Sequence, residues 1–232
     1  MFDRDETRLV RSCRPVASTY ALPQMIAIVD YDVGTVASVS NMLRKVGAKA
    51  TITRDPDILR AADKLVLPGV GSFDEAISNL RRLELFDLLN ELVVEQQKPI
   101  LGICLGAQLV ANGSEEGTLP GFGWIDAQIV RFKAASNTQL RIPHMGWNTI
   151  TPTRPGIGIF TDAPDPMRFY FVHSYHMLPA SSDDALATTD YGYRFVSVMG
   201  RKNVLAMQFH PEKSHKFGLQ IFRQFSESFV AC

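Results

Sequence analysis

The N-terminal half of the chain alternates between two hydropathy patterns, and that alternation limits the fold more than any other feature. The runs MIAIV (25–29), KATIT (49–53), KLVLP (64–68) and PILGI (99–103) are short, largely apolar and carry β-branched residues. Strands buried on both faces of a parallel sheet read this way. Between the first two, 36–47 has helical spacing (Val36, Val39, Leu43, Val46) and stops at Gly47, a natural residue just past a helix end. A short helix is expected over 55–63 with Pro56 in its first turn, and helical patterning runs from about 74 to 95. Strands alternating with helices predict βαβ units. The second half differs: GWIDAQIVRF, RFYFVHSY, ALATTDYG, RFVSVMG and NVLAMQFH are strand-like with few helices between them, and a helix over about 213–230 closes the chain. The expected fold is α/β, with a largely parallel central sheet, flanking helices and a mixed, antiparallel C-terminal portion.

Residues 1–24 stand apart. They carry four arginines together with Asp3, Asp5 and Glu6 and have no apolar stretch, so they do not read as a secretory signal. We expect a leader over 1–24 and one domain over 25–232. With 46% hydrophobic residues in 232, that domain can bury a core of useful size. The 24 basic and 24 acidic residues balance without a basic stripe, which argues against a nucleic-acid partner. No apolar run reaches the ~20 residues that span a bilayer. Cys13, Cys104 and Cys232 are scattered without metal-ligand spacing, so free thiols in a reducing, cytoplasmic setting are expected, with no metal and no cofactor.

The stretch ILGICLGAQLV (100–110) interrupts an apolar run with Gly102 and Gly106 on either side of Cys104. A strand ending in Gly-x-Cys-x-Gly and entering a helix is the pattern of an elbow that lifts a nucleophile out of an α/β sheet. The glycines permit a tight turn and keep side chains off the sulfur, and the helix from Leu105 brings N–H groups near a thiolate. A buried structural cysteine fits the elbow equally well. A cysteine nucleophile needs a base and the base an orienter. Of five histidines, His210 ends an apolar strand in QFHPE. In extended chain Glu212 shares its face and could fix the imidazole tautomer. Such pairs also occur by chance on surface strands. PGVGSF (68–73) leaves another strand through two glycines, either as a plain turn or as a source of inward amides for an oxyanion. GVGSF lacks the spacing of a dinucleotide loop.

Taken in order, PGVGSF, GICLGAQ, SEEG followed by GFGWI, PHMGWN, YFVHSY and QFHPEKS cover about residues 25–230. The set resembles the class I (triad) glutamine amidotransferases, most like the branch that forms the glutaminase subunit of imidazole glycerol phosphate synthase. That resemblance implies a Cys104–His210–Glu212 triad hydrolysing glutamine to glutamate and ammonia, with Val70 and Leu105 amides as the oxyanion hole. It implies glutamine binding by Gln108, Glu116, His173, Ser174 and Tyr175. It further implies a heterodimer with a separate (β/α)8 barrel cyclase subunit of histidine biosynthesis, met by His144, Trp147 and Lys213. An amidotransferase supplying ammonia for amidino-sugar synthesis is the alternative that the HPEKSHKFG ending keeps open. A non-catalytic module and a stand-alone cysteine hydrolase are the readings of other classes; joint retention of Cys104, His210 and Glu212 argues against the first, and the glutamine-pocket residues against the second. Two departures stand out: DYDVGT (30–35) has Asp32 and Thr35 where the family often has glycine and asparagine, and Ala107 replaces a common methionine.

Overall fold

The computed structural model describes residues 24–34, 36–133 and 140–229. The expected leader up to residue 23, Thr35, Cys13 and Cys232 lie outside the described residues. The first half reads β1 (Met25–Val29), α1 (Val36–Lys45), β2 (Lys49–Thr53), α2 (Pro56–Ala61), β3 (Lys64–Gly69), α3 (Phe73–Arg82), α4 (Leu85–Asn90), β4 (Ile100–Cys104) and α5 (Leu105–Leu109). The second half reads β5 (Gly113–Ser114), β6 (Ala127–Arg131), β7 (His144–Pro152), β8 (Met167–His173), β9 (Tyr175–Pro179), β10 (Ala185–Tyr191), β11 (Tyr193–Arg201), β12 (Val204–Met207) and α6 (His215–Glu227).

The main sheet has the order β2-β1-β3-β4-β12-β11-β10-β7-β8. Its first five strands are mutually parallel, and every pairing from β12 outward to β8 is antiparallel. Strands β5, β6 and β9 branch from this path through β11. The expected division into a parallel half and an antiparallel half is therefore the division observed. Alternation along β1 explains the layering: Ala27 and Val29 face a core built with α3 and α4, while Ile26 and Ile28 face one built with α1 and α6. Both faces of the strand are dry, as a near-continuous apolar run requires.

Two helical expectations change in detail. The pattern over 74–95 is divided at Glu84, whose left-handed backbone (φ 57°) re-aims the chain so that Leu85, Leu88 and Leu89 join the same core as Leu80. The closing helix is preceded by a separate 3-10 turn over Pro211–Lys213. Among the described residues no helix is long and apolar enough to cross a membrane.

The elbow is where the fold constrains sequence most. A Cβ on Gly106 would stand 1.8 Å from the Leu67 carbonyl oxygen, and one on Gly102 would stand 2.7 Å from the Gly106 carbonyl oxygen. Helix α5 thus packs backbone against backbone across β3 and β4. The glycines serve close approach, and the unusual turn conformation falls on Cys104 itself (φ 53°, ψ −108°). We expect Gly106→Ala to destabilise the protein by about 3 kcal/mol, since a backbone oxygen cannot swing aside as a side chain would. In thermal melting this is a loss of about 6–12 °C; an unchanged midpoint would contradict the packing argument.

Candidate active site

Cys104 ends β4, and its neighbours in the sheet bring it company from distant sequence. Gly69 is its partner in the β3–β4 ladder, and β12 pairs with the other side of β4. Strand β12 stops at Met207, so His210 is not held by an extended strand. Its N–H instead donates to the Tyr170 carbonyl on β8 at 2.9 Å, and Ser214 Oγ donates to the His210 carbonyl at 2.6 Å while accepting from the Tyr170 N–H at 3.0 Å. The 3-10 turn folds Glu212 back beneath the imidazole, where Nδ1 donates to Oε1 at 2.7 Å. The expected pairing is formed, but by a turn and not by the alternation of a strand. Ser214, fully buried, is a residue the sequence reading missed; its signal was a serine four places after the histidine.

Cys104, Leu105, Gln108 and His210 open onto one cavity of about 330 Å3 with Val70, Glu116 and the His173-Ser174-Tyr175 segment around it. Cys104 is 7% exposed and lines this cavity. The thiol contacts the Val172 carbonyl oxygen at 4.0 Å, and His210 Nε2 has no hydrogen-bond partner among the described residues. Such loose geometry is common before a substrate is bound. Burial alone would lower the pKa of His210. Its interactions with Cys104 and Glu212 outweigh burial and push it up to about 9 from 6.5. The ring therefore keeps its proton through neutral pH and loses it as pH rises through about 9. An imidazolium beside a sulfur suits nucleophilic attack followed by proton donation to a leaving amine.

The remaining lining residues are fixed by their own bonds. Gln108 Nε2 donates to Gln208 Oε1 at 3.2 Å and to the Tyr175 carbonyl at 3.4 Å. Glu116 Oε2 accepts from the Phe73 N–H at 3.0 Å, capping the first turn of α3. Asp74 anchors the same loop through the Thr118 and Leu119 N–H groups, which hold its carboxyl below the usual range. Tyr31, unremarked in sequence, is fully buried, and its hydroxyl has no hydrogen-bond partner among the described residues; it lies 2.3 Å from where a Gly69 Cβ would stand. Burial raises its pKa, with the nearby charge of Cys104 adding to the effect.

Three residues assigned to a partner face separate. Trp147 is 41% exposed, stacks on His215 at 5.6 Å, and lies near Tyr170, over which Lys213 places its Nζ at 5.9 Å. His144 is 3% exposed and does not reach the surface, because PHMGWN enters strand β7. Strand alternation turns His144 inward and Met145, 62% exposed, outward. In the departing loop, Asp32 has φ 66° and accepts from both Arg54 and Arg82 at 2.7 Å. Those two arginines, Arg82 first, hold its carboxyl below the usual range. Glycine is not required there because aspartate tolerates the left-handed region and finds cations. Among the described residues no cluster of histidine, cysteine and carboxylates fit for a metal ion occurs.

The profile of the glutamine amidotransferase class-I family matches residues 27–228. The chain is 47% identical to "Imidazole glycerol phosphate synthase subunit HisH 2" of Pseudomonas aeruginosa, over 88% of this chain and 99% of that protein. It is 46% identical to subunit HisH 2 of Methanococcus maripaludis, over 87% and 98%, and 43% identical to subunit HisH 1 of that organism, over 88% and 99%. Its fold is like that of a putative GMP synthase protein from Thermoplasma acidophilum, with TM-score 0.67 and 23% identity over 89% of this chain and 94% of the other. It is also like PurLQS from Thermotoga maritima, with TM-score 0.67 and 16% identity over 88% and 98%.

If His210 supplies the charge that makes the sulfur reactive, His210→Ala slows iodoacetamide alkylation of Cys104 at neutral pH by at least ~10-fold, the factor carried by one pKa unit of charge stabilisation. Peptide mass mapping separates Cys104 from Cys13 and Cys232. Equal rates in the variant and the wild type would remove His210 from the site.

Proposed function

Because the chain belongs to the glutamine amidotransferase class-I family, we propose that it is a glutaminase subunit that delivers ammonia to a separate synthase, with Cys104, His210 and Glu212 as its catalytic triad. Cys104 Sγ attacks the side-chain carbonyl carbon of glutamine, and the negative charge on oxygen is taken up by the amides of Val70 and Leu105. His210 gives its proton to the departing nitrogen, so the C–N bond breaks with release of ammonia and a glutamyl thioester remains. His210, now neutral, takes a proton from water as it attacks the thioester, and glutamate leaves with the thiolate and the imidazolium restored. Glu212 holds the imidazole with its Nδ1 proton inward. Gln108, Glu116 and the 173–175 segment bind the amino-acid end of glutamine, Glu116 through its carboxylate.

The observation that carries this reading is the juxtaposition, in one cavity, of an elbow cysteine with His210, whose Nδ1 is bonded to the Glu212 carboxylate. The relatives are named as subunits of imidazole glycerol phosphate synthase; histidine biosynthesis is the pathway, and a (β/α)8 barrel cyclase making imidazole glycerol phosphate the partner, that we assign. Met145, Trp147 and Lys213 offer an exposed face for it beside the cavity. An amidino-sugar synthase is the second acceptor worth testing. The Asp32–Arg54–Arg82 network alters a loop that faces the partner in the family, and two relatives, 47% and 46% identical, bear the number 2 in their names.

Glutamate release by the purified chain tests the chemistry. Cys104→Ala abolishes it with the fold intact, and Glu212→Gln lowers turnover less than His210→Ala, since an orienter is more dispensable than the base. Wild-type rates in Cys104→Ala would refute the nucleophile. Adding the barrel subunit with its formimino ribonucleotide ligand raises turnover at least ~100-fold, the worth of one oxyanion donor brought into place. Activation by an amidino-sugar partner alone would move the protein to that pathway.

A further inference from the structure

A buried chain of hydrogen bonds runs behind the cavity and takes no part in the chemistry above. His144 and His173 stand opposite each other in the β7–β8 ladder, 3% and 6% exposed, with His144 Nδ1 and His173 Nε2 3.0 Å apart. Each end of the chain is fixed by groups whose donor or acceptor role is not negotiable. At one end, His173 Nδ1 lies 2.7 Å from the Tyr175 carbonyl oxygen, which only accepts, so Nδ1 carries the proton. At the other, the Asn148 side-chain oxygen accepts from the Thr149 N–H at 2.8 Å and its amide nitrogen donates to the Asp190 carbonyl at 3.0 Å. Turning that amide over would set oxygen against oxygen and N–H against N–H, so its nitrogen faces His144 Nε2, 3.2 Å away, as a donor.

Those ends leave one consistent assignment. His144 Nε2 accepts from Asn148, His144 Nδ1 donates, His173 Nε2 accepts, and His173 Nδ1 donates to Tyr175. Both rings are neutral and both carry the proton on Nδ1. A second proton on His173 would place an Nε2–H against the His144 Nδ1–H. Burial acts in the same direction, lowering His144 to about 4 and His173 to about 3. The titratable neighbours of His173 are His144 on β7, His176 on β9 and His210 beyond β12, all of which disfavour a further cation. The phenol ring of Tyr191 stacks on His144 at 3.9 Å with its hydroxyl committed to the Arg141 carbonyl, and Phe132, Phe171 and Phe195 close the rest.

We propose that Asn148 and His144 are positioning residues for the substrate pocket, acting through a one-way hydrogen-bond relay, Asn148 to His144 to His173 to the Tyr175 carbonyl, that sets the 173–175 wall. This rests on the reading of the cavity as the glutamine site. The relay begins one residue from exposed Trp147, so a contact on that face is one strand residue from a bond that ends in the pocket. Tyr175 also accepts from Gln108 through the same carbonyl, so loss of the relay loosens two pocket residues together.

The test uses the full chain with its histidine rings labelled with nitrogen-15. The expected result is the Nδ1–H tautomer for both His144 and His173 across roughly pH 5–8. An Nε2–H tautomer or an imidazolium signal for either ring overturns the relay. His144→Phe keeps ring packing but removes both bonds. It raises KM for glutamine ~10-fold while kcat changes less than ~3-fold, from the loss of the one of the two bonds that reaches His173. His144→Asn, whose amide nitrogen stands in for Nδ1, keeps KM within ~3-fold of wild type. An unchanged KM in His144→Phe overturns the positioning role, as does failure of His144→Asn to rescue. Should His144→Phe not fold, the wild-type tautomers and the His144→Asn kinetics decide. A wild-type chain that releases no glutamate fails the reading of the site, whereas the ring signals still decide the relay.

Discussion

Backbone lies directly against backbone where α5 crosses β3 and β4, and the site depends on that contact. Gly102 and Gly106 leave no room for a methyl group, so the helix begins immediately above the strand ends and Cys104 is caught between them at φ 53°. A non-glycine residue in such a conformation carries roughly 1–3 kcal/mol of strain. Pairing of β4 with β3 on one side and β12 on the other holds it there. The sulfur is thereby pushed out of a strand whose other residues are wholly buried, into the cavity at the carboxyl ends of the parallel strands.

His210, the proposed base, is held by different means. Cysteine sits on regular structure, whereas His210 lies past the end of its strand, tied to β8 by its own N–H and by Ser214. Pro211 packs its carbonyl against Gly218 of α6, so a Cβ there would stand 1.7 Å from it. The imidazole–carboxylate pair is therefore clamped between β8 and α6, with both side chains essentially inaccessible to water. In that setting Cys104 and Glu212 raise the pKa of His210 against the lowering effect of its burial.

What was legible in the sequence was whatever depended on local pattern. Apolar runs with a period of two or near 3.6 marked strands and helices, and glycines flanking a cysteine marked the elbow. Residues that gather through the sheet were less visible. Nothing near Tyr31 in sequence announces that its hydroxyl will lie beside Gly69, and nothing in PHMGWN distinguishes a loop from the start of a strand. The inward turn of His144 follows from register with β8, a property of two segments and not of either one. Likewise the His210–Glu212 contact was expected for a reason that the chain does not use: a 3-10 turn, not alternation, brings the carboxylate under the ring.

Strand β12 is the last strand in the sequence, yet it lies in the middle of the sheet, between parallel β4 and antiparallel β11. While the chain is being synthesised, β4 is complete long before its neighbour exists, and its edge stays unpaired until residues 204–207 emerge. The same insertion carries in His210. A nascent chain thus holds its cysteine without the histidine proposed as its base, and on that proposal the sulfur gains its partner only when the sheet closes. Truncation anywhere before β12 leaves both an open strand edge and an idle thiol, so completeness of the polypeptide is a condition of chemistry as well as of stability.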